Sequence, residues 1–170
     1  MVETGLLTAG KFELVEGEVV YKMGLGRLHI IVVARIIAVL TAIFGEAVQS
    51  QAQIGIGEID EFNDPEPDVA VLKGTLLNYK DREPDPATEV ILAVEAANTS
   101  LPGDITVKSR LYSRFGLPEY WVVDMPHRQL IVCRQPSTDG YLEVKSFEVS
   151  ESVAPLAAPD SPILVSALLP

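Results

Sequence analysis

The stretch IIVVARIIAVLTAIF, Ile30 to Phe44, restricts the fold more than any other part of this 170-residue chain. With Arg27 as its start, it reads as a helix that is apolar on nearly every side, and Gly45 stands where a C′ glycine ends it. Such a helix has to be covered all round, by a sheet of the same domain and by a partner subunit. It is shorter than the roughly 20 residues that span a bilayer, and Arg35 interrupts it. The expectation is a soluble helix, no membrane, and a homodimer through Ile30 to Phe44.

The rest of the chain supplies the sheet. FELVEGEVVYKM, Phe12 to Met23, reads as two short strands around Glu16-Gly17. AVQSQAQIGI, Ala47 to Ile56, alternates as a half-buried strand does. After the loop EIDEFNDPEP come the strands DVAVL (Asp68 to Leu72) and EVILAVE (Glu89 to Glu95). Asp104 to Phe115 is expected to be a helix with Asp104 as N-cap, Gly116 as stop, and Val107, Leu111 and Phe115 on its core face. EYWVVD, QLIVCR and YLEVKSFEV add three strands, and ILVSALL a last packed turn. This order predicts one domain over residues 1–170, of the α/β (α+β) class, with a central mixed β-sheet flanked by helices and preceded by an N-terminal hairpin.

Composition narrows the chemistry. A hydrophobic share of 48% against 22% charged residues is that of a globular protein. The single cysteine, Cys133, excludes an internal disulfide and suits a reducing cytoplasm; the acid-containing N-terminus has no signal-peptide order. A net charge of −11 argues against a general nucleic-acid binder. The charge is uneven, however. Twelve acids between Glu46 and Glu95 face only Lys73, Lys80 and Arg82, whereas Lys108, Arg110, Arg114, Arg128 and Arg134 outnumber Asp104, Glu119 and Asp124 further on. The chain holds no G-x-S-x-G, Walker, G-x-G-x-x-G or H-E-x-x-H motif, and two histidines with one cysteine argue against a zinc site on number alone.

Two carboxylates stand out. Asp68 opens DVAVL directly after Pro67, and Glu95 closes an otherwise apolar strand. Acids at adjacent strand ends repel, so that one takes up a proton or the pair shares a cation. Oxygen ligands with open water positions suit Mg²⁺ or Mn²⁺. The plainer alternative for each acid is a solvated strand end. Lys108 shares a helix face with Asp104 and Tyr112 by i, i+4 spacing, and borders the apolar stripe. It is either a lysine paired with Asp104 or a group turned toward the acids.

PEPDVAV, then VILAVEAANTS, then the helix with Asp104, Lys108 and Tyr112, then GLPEYWVVD together resemble the Uma-type family of restriction-endonuclease-like proteins, within the PD-(D/E)XK nuclease superfamily. The resemblance runs from FELVEGEVV to the closing ILVSALL. It implies a restriction-endonuclease-like core and metal-assisted phosphodiester hydrolysis. It also implies Asp68 and Glu95 as metal ligands, the Ala96 carbonyl as a third, and Glu18 as the early acid acting through a water. His29, at the head of the first helix, matches a histidine of the family. The superfamily's lysine position, two residues after Glu95, holds Ala97 here, and Lys108 is the implied substitute. Ala96-Ala97-Asn98-Thr99 also departs from the family's usual strand exit.

The expected function is therefore a cytoplasmic Mg²⁺- or Mn²⁺-dependent endonuclease acting on DNA, with catalytic residues Asp68, Glu95, Lys108 and Glu18. Arg110, Arg114 and Arg27 are the candidates for phosphate contact. The alternative is a catalytically inactive dimeric binding or scaffold protein that keeps the nuclease fold, as the acidic balance and Ala97 suggest.

Overall fold

The structure, a computed structural model, describes residues 12–21, 26–50, 62–98 and 100–170. Its centre is a six-stranded mixed sheet. In chain order, β3 is Val48–Ser50, β4 Val69–Leu72, β5 Val90–Ala97, β6 Glu119–Asp124, β7 Gln129–Arg134 and β8 Glu143–Glu148. These strands lie side by side in the order β3-β4-β5-β6-β7-β8. All neighbours are antiparallel except β5 and β6, which run parallel. A parallel pair needs a crossover, and the helical segment between these two strands supplies it. The expected fold class is the one observed. The second half of the strand expected over Ala47 to Ile56 lies outside the described residues.

Ahead of the sheet stands a hairpin, β1 (Phe12–Val15) and β2 (Glu18–Tyr21), with Glu13 opposite Val20. Its turn residues Glu16 and Gly17 have φ of 51° and 79°. Two successive positive φ values give the mirror-image turn whose twist matches paired strands. The hairpin is clasped by the segment that leads into β4: Gly17 N–H donates to Phe62 O at 2.8 Å, and Asp64 N–H to Leu14 O at 2.7 Å.

Helix α1 (Arg27–Phe44) has the expected bounds, and Gly45 at φ 60° closes it. Only Val32, Ile36 and Leu40 are fully buried, one to a turn, against Val69, Val71, Leu92, Val94, Trp121 and Val123. Leu28, Ile30 and Ile31 stay 46%, 52% and 47% exposed. So the sheet covers one stripe of α1 and leaves an apolar face outside. With its following turn the rod runs Arg27–Ala47, which is 21 residues and meets the length and apolarity of a bilayer span, contrary to the shorter sequence-based estimate. It nevertheless packs on the sheet, and Arg35 donates to Leu169 O at 3.1 Å.

The opposite sheet face buries Ala70, Leu72, Ala93, Tyr120 and Val122 beneath the crossover segment, α2. This segment consists of a short turn Leu101–Gly103, a π-turn Asp104–Lys108 and an α-helix Ser109–Arg114. Asp104 is thus inside the helix rather than its N-cap. The π-turn also changes the phase of the buried face. Val107, expected in the core stripe, is 39% exposed, while Asp104, Lys108, Leu111 and Tyr112 are buried. Gly116, at φ 74°, ends the segment as expected, with Leu117 N–H donating to Tyr112 O at 3.0 Å. Short strands β9 (Ser152–Val153) and β10 (Ile163–Leu164) and the turn α3 (Val165–Leu168) close the chain and pack beside α1.

Candidate active site

The ladder between β4 and β5 pairs Val69 with Val94, so Asp68 stands across from Glu95, one step beyond the last pair. Strand alternation turns Glu95 to the same sheet face as Ala93, Ala97 and Tyr120, the face that α2 covers. Asp68 Oδ2 accepts the Ala96 N–H at 2.8 Å and lies 3.0 Å from His29 Nε2 on the first turn of α1. Glu95 is 5% exposed, and its Oε1 accepts from Lys108 Nζ at 2.8 Å.

Lys108 is the centre of the arrangement. Its Nζ also lies 2.8 Å from Glu13 Oε1 and 3.7 Å from Asp104 Oδ1. Three elements that are distant in the chain therefore meet on one ammonium: the hairpin, the end of β5 and the π-turn of α2. Residues four apart lie on one helix face, and both Asp104 and Lys108 of the π-turn are buried.

The electrostatics follow from burial. Burial pushes the Glu95 carboxyl well above its ordinary value; Lys108 opposes this, and Asp68, Asp104 and Glu13 add to it. Asp104 is raised in the same way, chiefly by burial against the pull of Lys108. For Asp68, burial also favours the neutral form, but the His29 hydrogen bond and charge, the Ala96 N–H and Lys108 outweigh it and hold this carboxyl below its usual value. Burial disfavours charge on Lys108, yet Glu95, Tyr112, Glu13 and Asp104 more than reverse that and keep it a cation. One ammonium thus faces Glu13, Glu95 and Asp104, with Asp68 and His29 beside them. Around this ammonium the carboxylates outnumber the cations.

The residues singled out in the sequence fall as follows. Asp68, Glu95 and Lys108 come together, with Ala96 joined to Asp68 through its N–H. Glu18 does not join them: it is exposed on β2. The hairpin acid at the site is Glu13, 6% exposed, whose Oε2 also accepts the Glu66 N–H at 3.4 Å. Strand alternation groups Glu13 with the buried Val15, and the clasp of the hairpin by the segment before β4 turns that face inward. His29 finds a partner in Asp68. Arg27 and Arg110 are exposed, and Arg114 lies 3.0 Å from Glu16 of the hairpin turn.

Among the described residues, no three of His, Cys, Asp and Glu converge as a ready-made metal centre. Lys108 stands between Glu13 and Glu95. The donors themselves are carboxylate and peptide oxygens, hard ligands of the kind that Mg²⁺ and Mn²⁺ take.

A family profile described as "Uma2: Putative restriction endonuclease" matches residues 6–163. A crystal structure described as "a putative nuclease belonging to DUF820", from Anabaena variabilis ATCC 29413, superposes with a TM-score of 0.73. The match covers 98% of this chain and 94% of that one at 14% sequence identity, which is a likeness of fold. Among curated proteins none matches the chain significantly.

Proposed function

The chain belongs to the Uma2 family of restriction-endonuclease-like proteins, and from that membership we propose that it is a divalent-metal-dependent endonuclease that hydrolyses DNA phosphodiester bonds. The observation that carries the reading is Lys108 between Glu13 and Glu95, with Asp68 across the β4–β5 ladder from Glu95. A buried group of acids with too little positive charge is a cation site in waiting. Asp68 and Glu95, with the Ala96 carbonyl, would hold Mg²⁺ or Mn²⁺. The bound ion supplies Lewis acidity, lowering the pKa of water and neutralising charge on phosphate. Asp68 is suited to ligation because its low pKa keeps it ionised. Lys108, still protonated, orients the attacking water and stabilises the charge that develops on the phosphoryl oxygens. As the water oxygen bonds to phosphorus it gives up a proton to solvent, the bond from phosphorus to the leaving oxygen breaks, and that oxygen takes up a proton from solvent. Glu13 takes the part assigned from sequence to Glu18, that of the early acid.

The test uses supercoiled and linear DNA with Mg²⁺ or Mn²⁺, comparing the native protein with Glu95→Ala and Lys108→Ala. Nicking should fall by about 10²-fold or more in both variants. Undiminished nicking in both would remove the proposed site.

A second reading has support of its own. Ala97 stands at the superfamily's lysine position, the net charge is −11, and α1 presents Leu28, Ile30 and Ile31 to solvent. These favour a dimeric binding or scaffold protein that keeps the fold without the chemistry. Calorimetry with Mg²⁺ and Mn²⁺, paired with DNA retention at low salt, separates the two: the scaffold gives neither heat nor retention. In both readings the outer face of α1 is the proposed dimer contact, and the protein is cytoplasmic.

A further inference from the structure

Tyr112 lies in α2 one turn beyond Lys108 and is 1% exposed, with its ring centroid 4.9 Å from that of Tyr120. Other buried tyrosines place their hydroxyls on carbonyls: Tyr79 on Lys73 O at 2.6 Å, Tyr120 on Asp104 O at 3.2 Å, Tyr141 on Leu117 O at 2.8 Å. The Tyr112 hydroxyl bonds to none of the described residues. A buried hydroxyl without a partner is costly, and a native fold tolerates it where another state uses the group. Its surroundings indicate which group that is. The charges nearest its phenol are those of Glu95, Lys108, Glu13 and Asp104, and burial keeps it neutral and able to accept a hydrogen bond.

The Lys108 ammonium has three N–H donors; one goes to Glu95 Oε1 at 2.8 Å, and Glu13 Oε1 pairs with the charge at the same distance. Asp104, at 3.7 Å, is beyond hydrogen-bond reach. A divalent cation and the ammonium compete for the same carboxylate oxygens, and their charges repel. Lysine's flexible stem allows the ammonium to move by a few ångströms without moving the helix. Tyr112 follows Lys108 by four residues, so the two share one buried helix face, and the unpartnered Tyr112 hydroxyl lies on it.

We propose that Lys108 has two seats: between Glu13 and Glu95 when no cation is bound, and against the Tyr112 hydroxyl when a divalent cation takes Glu95. The inference rests on the metal-binding reading above and assigns Tyr112 as the positioning residue that receives the displaced lysine. Tyr112 is then part of the cation-loaded state without being a ligand.

The experiment reads binding rather than turnover. Protein carrying ¹³Cζ-tyrosine is titrated with Mg²⁺ by NMR and by calorimetry, with Tyr112→Phe identifying the Tyr112 resonance. The resonance should shift along the calorimetric isotherm. Tyr112→Phe should bind Mg²⁺ about tenfold or more weakly while its thermal midpoint stays at the native value, because the deleted hydroxyl bonds nothing in the cation-free fold. Lys108→Met should bind Mg²⁺ more tightly, since the competing ammonium is gone; if that variant does not fold, the Tyr112→Phe arm decides alone. Native affinity in Tyr112→Phe, or a Tyr112 resonance that stays still while calorimetry saturates, overturns the inference and leaves the metal site standing. No uptake of Mg²⁺ or Mn²⁺ by the native protein overturns the metal reading and this inference together.

Discussion

Lys108 holds together acids that would otherwise repel, so its loss affects stability as well as chemistry. Lys108→Ala leaves Glu13, Glu95 and Asp104 buried without their counter-charge. We expect a loss of about 3–5 kcal/mol near neutral pH, measured as a fall in the denaturant midpoint at unchanged slope. The loss should shrink on acidification, because protonated acids need no partner. In the native protein Glu95 and Asp104 have raised folded-state pKa values. Their contribution to stability is therefore fully present below their ordinary values of 4.5 and 3.8 and is lost as pH rises through the folded values. Asp68 acts in the opposite sense: its lowered pKa adds stability above 3.8 that disappears as pH falls through the folded value. Urea midpoints across pH 3 to 8 for the native protein and Lys108→Ala check both signs; a gap between the two that widens toward acid would refute the assignment. At this scale Asp68, Glu95 and Lys108 were legible because each interrupts or borders an apolar run. Glu13 was not, since three acids crowd one short hairpin and only its clasp to residues 62–68 decides which one turns inward.

At the scale of elements, α2 shows where pattern reading reaches its limit. Its stop was readable, because a glycine after an amphipathic run supplies the left-handed residue that a helix end needs. Gly116→Ala should lower stability by about 1–2 kcal/mol, from the strain of φ 74° and from a new methyl 3.1 Å from Ala87 Cβ; thermal or urea unfolding measures it. A change within about 0.3 kcal/mol would mean that the helix end relaxes freely. The π-turn was not readable. DITVK carries three successive β-branched residues, which weaken a helix without specifying a π-turn, yet one forms, with Val107 exposed and Asp104 and Lys108 buried. What forces it is tertiary: Lys108 has to reach Glu13 and Glu95 while Leu111 and Tyr112 stay packed on the sheet side.

For the whole molecule, the open question of the sequence was what covers α1. The sheet takes the stripe of Val32, Ile36 and Leu40, and the chain's end adds β10 and α3. Leu28, Ile30 and Ile31 remain outward, the apolar face proposed as the dimer contact. Ile31→Glu should convert a dimer to a monomer in sedimentation at micromolar concentration without lowering the unfolding midpoint by more than about 0.5 kcal/mol. A native protein that is already monomeric there would discard the dimer.

The sequence by itself determined the class of fold, the bounds of α1, the strands of the central sheet and three of the residues at the site. Periodicity and strand-end chemistry are local properties, and local order carries them. Only the tertiary structure decided that Glu13 rather than Glu18 faces Lys108, that α2 makes a π-turn, and that one ammonium joins three separate elements. Those are contacts between residues far apart in the chain. Their geometry depends on how the hairpin, the sheet and the crossover pack against one another, which no local pattern encodes.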